Sequence, residues 1–473
     1  MRGFTPVAVT ALAVGSMVAL TACSAGGGEA GATSGEATSA GGTETSAETS
    51  AAAASGTVTW WGWTPDTPVA EKYIAAFNEV YPDITIQYTN YENADYAPTM
   101  STAFQTGQGP DIFDVSAGGN VGGKQLWGDY AMDLTPVAQA ELGDGWKDMF
   151  ATGYVDQLSV GDKVVALPLG GVAAGFFWID KDLFDKYGVP TELKTYADLK
   201  KACDTFQSNG VQCFTMGTNS TDTFSTELLR TITNSIEPDY YMAALHGDRS
   251  WDDPVMVQAL DMMRQMQDDG IIGQDATSIK QYPESNNNFL SQKAAIVQMG
   301  TWYAQYAAKE SMLNSMEGAG VSNPVPFTMM PMVSPDFAGK GNIPQYVGEA
   351  DYGIAINQNT KNLEAAKTFV MWLTATKEGQ QDVANAIDLV PGLVGVEADW
   401  NNLGLVSPDI QIPAFKKLFA DAAAAKESRN LYISAETGNA QVIAVQQALA
   451  DRSVSSQDIA KQAEADSVDL PAQ

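Results

Sequence analysis

The amino-acid sequence predicts an α/β protein, and three observations carry the prediction. From residue 57 onward, short β-rich runs alternate with apolar residues at helical spacing, and the first five elements read β-α-β-α-β. Apolar residues make up 45% of the chain, as in soluble globular proteins. At 473 residues there is chain for two or three domains, or for one large two-lobed body with an ample core.

The N-terminal elements come first. Arg2 supplies a thin positive region, and residues 7–20 form an apolar run too short for a bilayer-spanning helix, which takes about 20 residues. The run ends at Leu20-Thr21-Ala22-Cys23, whose small residues suit signal-peptidase cleavage. A cysteine at that point resembles a bacterial lipobox. The resemblance implies removal of residues 1–22 and diacylation of Cys23, two chains being what anchors stably. Residues 24–55 contain only Gly, Ala, Ser, Thr and four glutamates, so no apolar face forms. Residues 23–55 therefore read as a disordered tether, about 30 Å from end to end on average.

The body begins at Gly56. Thr57-Val58-Thr59-Trp60-Trp61 reads as a strand, and Ala70, Tyr73, Ile74, Phe77 and Val80 mark a helix that Tyr81-Pro82-Asp83 stops. Residues 84–88 give a second strand, 97–106 a second helix and 111–115 a third strand. This order implies right-handed crossovers and a mainly parallel sheet. Residues 164–168, 174–179 and 213–216 are strand-like. Helices are predicted at 181–187, 196–207, 254–267 and 363–373, and in the C-terminal third at 410–425, 439–450 and 457–465. An open α/β sheet binds ligands beyond the carboxyl ends of its strands, which points to residues 61–65 and 116–120. Outside the cytoplasm, Cys203 and Cys213 are free to form a disulfide across a short loop.

The balance of residue types narrows the function. With 57 acidic and 26 basic side chains the net charge is −31, which argues against a nucleic-acid partner. His246 is the single histidine, so multi-histidine metal sites are impossible. Three cysteines, one of them in the leader, build no thiolate zinc site or iron–sulfur cluster. No metal and no cofactor is expected. Gly118, Gly123 and Lys124 match the spacing of a phosphate-binding loop, but Gln125 stands where Ser or Thr would hold magnesium. The segment reads as a flexible loop beside a cleft.

An ordered set of motifs then stands out. It comprises Phe77-Asn78-Glu79-Val80-Tyr81-Pro82-Asp83-Ile84, Gly107-Gln108-Gly109-Pro110-Asp111-Ile112 and Trp178-Ile179-Asp180-Lys181-Asp182-Leu183-Phe184. Lys293-Ala294-Ala295-Ile296 follows, leading to Gly300-Thr301-Trp302, and then Glu364-Ala365-Ala366-Lys367-Thr368-Phe369, which runs on to Pro391. With the lipobox and tether, this set resembles the sugar-binding lipoproteins of bacterial ABC importers, the family 1 extracellular solute-binding proteins related to maltose-binding protein. The resemblance spans residues 56–470. It implies a type II periplasmic-binding-protein fold, with two hinge-linked lobes and a ligand cleft between them. Lobe one would be 56–170 plus 350–390, and lobe two 171–349 plus 391–473. Crossings would lie near 169–173, near 346–350 and past Pro391, with Gly170, Gly171 and Gly348 absorbing rotation.

Pyranose rings have apolar C–H faces that an indole covers while leaving the hydroxyls free. Strand alternation sends Trp61 and Trp63 to one side and Trp60, read as core, to the other. Trp61 and Trp63 are candidate contacts, and Trp302 sits where the family carries a stacking aromatic. Carboxylates and amides supply the directional half of sugar binding. Asp114 in the third strand, Glu349 at a crossing (favoured over Asp351), and Thr218 and Asn219 after the strand at 213–216 are the candidates, with Arg429 and Tyr432 as further contacts.

The expected function is that of a monomeric, lipid-anchored receptor on the outer face of the cytoplasmic membrane. It captures a mono- or oligosaccharide, performs no chemistry, and hands the sugar to the permease subunits of an ABC importer. Two rivals stand beside it. A secreted glycoside hydrolase would place two carboxylates about 5 to 9.5 Å apart. A binding protein for a non-sugar solute, such as a polyamine or peptide, would keep the fold and change the ligand.

Overall fold

Along β1 (Gly56–Gly62), Val58, Trp60 and Gly62 are buried while Thr59 and Trp61 are half-buried, so alternation sets the strand's inner face. Helix α1 (Thr67–Val80) turns Val69, Ala70, Tyr73 and Phe77 to the core, with Pro68 in its first turn. The computed structural model describes residues 54–118, 123–220, 224–342, 345–425, 428, 431 and 433–468. Cys23, the leader, the tether to residue 53, Arg429 and Tyr432 lie outside the described residues.

After β2 (Ile84–Asn90), helix α2 (Asn93–Gln105) begins one turn before the expected start and carries Pro98 inside it. The fully buried Tyr96, whose hydroxyl donates to the Asp114 carbonyl oxygen at 2.9 Å, brings the first turn forward. The remaining strands of the two larger sheets are β3 (Ile112–Ser116), β4 (Leu167–Ala174), β5 (Phe176–Asp180), β6 (Gln212–Thr215), β7 (Ala294–Met299), β8 (Met329–Met332), β9 (Val347–Ile356) and β10 (Val390–Pro391).

The first sheet has the order β10-β4-β9-β3-β1-β2, and the second the order β8-β5-β7-β6. Strands β1, β2 and β3 are parallel, as their crossover helices require. The whole first sheet is mixed, contrary to the expectation of a mainly parallel one. Strand β9 enters it from the other half of the molecule and runs antiparallel to both β3 and β4. In the second sheet, β6 and β7 are parallel and the other pairings antiparallel.

Each sheet has its own core. Trp60, Tyr73, Phe77, Ile112, Tyr352 and Phe369 pack together in the first lobe. Phe177, Phe184, Phe206, Phe214, Leu229 and Met263 do so in the second. Burying each such side chain contributes roughly 1.5–3 kcal/mol. Helix α3 (Lys181–Tyr187) leaves β5 directly, and α4 (Tyr196–Ser208) is joined to β6 by the disulfide Cys203–Cys213. The C-terminal helices α5 (Ala435–Ala450) and α6 (Ser456–Asp466) add Val445, Ala448 and Ile459 to the second core.

The lobes are joined by paired strands. Strand β4 pairs with β9 from Leu167 opposite Ile354 to Ala174 opposite Val347, then passes through Gly175 into β5. The expected boundary at 170/171 falls inside this ladder. Gly170, Gly171 and Gly348 were expected to supply rotation, but packing explains them. A side chain at Gly170 would press on the Val390 carbonyl oxygen (2.5 Å), at Gly348 on Ala425 (2.7 Å), and at Gly171 on the Tyr154 hydroxyl. The left-handed conformation falls to Gly175, at φ +98°.

Candidate functional site

A cleft of about 390 Å³ lies between the lobes, at the carboxyl ends of β1, β2, β3 and β7. Its volume is in the range of small-molecule sites. The first lobe contributes Trp63, Asp66, Asn90, Glu92, Asp351 and Asp388. Phe224, Tyr282, Asn286, Trp302, Gln305 and Tyr306 come from the second. The strand ends singled out in the sequence, residues 61–65 and 116–120, contribute Trp63, Thr64, Ser116 and Gly118 to this cleft.

Trp63 and Trp302 are brought to this one cleft. Trp63 leaves the end of β1 half-buried, its ring edge-on to Tyr96 at 5.1 Å and tilted to Tyr352 at 5.5 Å. Trp302 is also half-buried and touches the cores of both lobes. Its ring lies over Gly300, where any side chain would collide with it, so the glycine serves space rather than backbone freedom. The Trp302 indole N–H donates to the Tyr282 hydroxyl at 3.1 Å, and the Phe224 ring stands 6.0 Å away.

The other predicted contacts lie off the cleft lining. Trp61 packs edge-on against Tyr91 at 5.3 Å. Asp114 is fully buried and accepts from the Trp60 indole N–H at 2.8 Å. Burial pushes its carboxyl well above the usual range, opposed by that indole and by the backbone N–H groups of Thr64 and Trp63. Asp114 therefore sits beneath the turn that carries Trp63. Thr218 and Asn219 are tied to residues 276–279, their backbone N–H groups donating to the carbonyls of Ala276 (2.8 Å) and Ile279 (2.9 Å).

Glu349 is buried and accepts from the Ser428 hydroxyl at 2.5 Å, while Asp351 lines the cleft. Simple alternation would send both to one face. The pairing shifts between Ala350 and Tyr352, leaving Asp351 as an extra residue, and this bulge re-aims the side chains. A bulge has no signature in this sequence.

Sequence reasoning also missed Asp66, Tyr306, Gln305 and Asp388, which join the walls. The Tyr306 hydroxyl donates to Asp66 Oδ2 at 3.2 Å, and Gln305 Nε2 donates to Asp388 Oδ1 at 2.9 Å. Burial raises the Asp66 carboxyl, with the Tyr306 hydroxyl opposing. Asp388 is raised well above the usual range, first by burial and then by the charges of Asp351 and Asp66. Among the described residues no group of three His, Cys, Asp or Glu is arranged to hold a metal. Gly118 lines the cleft, but residues 119–122 of the loop it begins lie outside the described residues.

Comparison with known proteins follows the same geometry. The family model for the bacterial extracellular solute-binding protein matches residues 60–380. An uncharacterized ABC transporter extracellular-binding protein of Pyrococcus horikoshii is 24% identical over 214 residues. That match spans 43% of this chain and 46% of the relative, less than half of either. Among solved structures, a protein from a study of xylan utilization by Caldanaerobius polysaccharolyticus has a TM-score of 0.67 and 21% identity, covering 86% of this chain and 99% of its own. A chitin oligosaccharide binding protein has a TM-score of 0.66 and 19% identity, with 87% and 98% covered. Maltose-bound MalE3 of T. maritima gives 0.66 and 19%, with 86% and 98% covered. These likenesses show a shared two-lobed fold.

Proposed function

The chain belongs to the bacterial extracellular solute-binding proteins, and we propose that it captures a sugar in its interlobe cleft and delivers it to the permease of an ABC importer. It is a binding protein and not an enzyme. The observation that carries the sugar reading is the meeting of two half-buried tryptophans, Trp63 and Trp302, with carboxylates and amides on one cleft. The ligands of the structural relatives, chitin oligosaccharide and maltose, lend support. Ligand favours the closed arrangement only as far as it binds that state more tightly than the open one.

Calorimetry on the purified protein against a panel of mono- and oligosaccharides tests this reading. One sugar should bind saturably and without turnover, and Trp302→Ala should weaken it by about 30-fold or more. A variant that melts several degrees lower but binds with unchanged affinity would return Trp302 to the core and remove the main support.

The receptor is held to the outer face of the membrane through an acylated Cys23, with residues 24–55 as its tether. The sequence Leu20-Thr21-Ala22-Cys23 motivates this part. Cys23→Ala should shift the protein from the membrane fraction to the medium, and unchanged retention refutes the anchor.

A further inference from the structure

Sugar hydroxyls are neutral and both donate and accept, so a site for hydroxyls alone needs no excess of one charge. Asp66, Glu92, Asp351 and Asp388 line this cleft, and among the described residues no Lys, Arg or His does. Asp388 is 2% exposed; its Oδ1 accepts from Gln305, its Oδ2 has no partner at hydrogen-bond distance, and the Thr64 hydroxyl on the same wall is the neutral group that opposes its raised carboxyl. The same cleft carries the rings of Trp63, Trp302, Tyr282 and Tyr306, whose electron-rich faces attract cations.

Building on the receptor reading, we propose that the ligand carries a protonated amine, which Asp66 and Asp388 recognise beside the aromatic rings. An ammonium has three donors and no acceptor, the complement of a pair of carboxylates. Burial and the negative charges of Asp351 and Asp66 disfavour the ionised form of Asp388, and a bound cation relieves that. Asn90, Asn93, Asn286 and Asn287 remain for uncharged hydroxyls along the rest of the cleft. The amine belongs either to an amino sugar or to a free polyamine, and the probes below separate the two.

The test compares matched ligands by calorimetry on the folded protein: glucosamine against glucose, the β-1,4 glucosamine disaccharide against cellobiose and its N-acetylated form, and spermidine as a cation without a sugar. The amine member of a pair should bind at least about 30-fold more tightly than its neutral partners. Asp388→Asn and Asp66→Asn should each shrink that preference by about tenfold or more while changing the neutral partner far less. Because the preference is a ratio measured within one protein, partial loss of folding does not mimic the result, and Asp66→Asn stands in if Asp388→Asn fails to fold. Spermidine binding with no sugar bound keeps the amine and removes the sugar. A neutral sugar bound as tightly as its amine partner overturns the amine and leaves the sugar receptor standing. Silence of every amine probe also overturns it.

Discussion

Asp180 and Asp388 are both buried, one in each lobe, and the lobes treat them differently. Asp180 caps α3: its Oδ1 accepts from the Leu183 backbone N–H at 3.0 Å, and its Oδ2 from Gln292 Nε2 at 2.7 Å. Both oxygens are satisfied within the second lobe. Asp388 has one oxygen held by a residue of the opposite lobe, while among the described residues the other has no partner at hydrogen-bond distance and only the Thr64 hydroxyl opposes the raised carboxyl. Burying a carboxylate is costly unless hydrogen bonds replace the lost water. The fold itself accounts for Asp180. Asp388 keeps an oxygen that the fold leaves to the cleft.

The comparison can be broken first at Asp180, where the larger effect is expected. Burial pushes its carboxyl from 3.8 up to about 6, with Gln292 and the Leu183 N–H opposing. Since the folded value lies above the unfolded one, this contribution is fully present below the unfolded value and is lost as pH rises through about 6. Asp180→Asn does not titrate. The stability of the native protein relative to this variant should therefore fall by about 3 kcal/mol between about pH 4 and pH 7. Denaturant melts across that range measure it. A flat difference would mean that Asp180 is no more strained by burial than a surface acid.

A smaller effect sharpens the cleft side. Tyr306→Phe deletes the hydrogen bond from the second lobe to Asp66 and should cost about 1 kcal/mol of closure. The expected reading is a drop of about fivefold in ligand affinity, with the melting temperature of the free protein little changed. Affinity left intact would show that this contact stabilises neither wall of the cleft.

Much of the architecture was legible because it rests on periodicity. The helical spacing of Ala70, Tyr73 and Phe77 and the alternation at Val58 and Trp60 are local signals, and the structure follows them, though Val80 at the helix end is exposed. The strand ends also led to the cleft, with Trp63 and Trp302 on it. What stayed illegible depends on contacts far apart in the chain. Asp388 follows the helix Lys377–Ala386 inside the run that ends at Pro391, but nothing in that run marks it, and it reaches the cleft because the chain crosses back into the first sheet there. Asp351 and Glu349, which alternation puts on one face, are parted by the register shifts around Tyr352. Gly170 and Gly348 looked like joints in a sequence that cannot show the neighbours filling their space.

The paired strands β4 and β9 carry a consequence of their own. A joint made of loops swings about a point, and its stiffness depends on few residues. A hydrogen-bonded ladder that runs from one lobe into the other behaves as a leaf spring: bending it strains every rung a little, and the strain is returned on release. Parting the lobes would then flex the whole ladder rather than turn one point, with Gly175, at φ +98°, just past its end. Such a receptor is tuned along its whole spine. Changes at the ladder rungs alter how readily the jaws part without touching any group that faces the ligand.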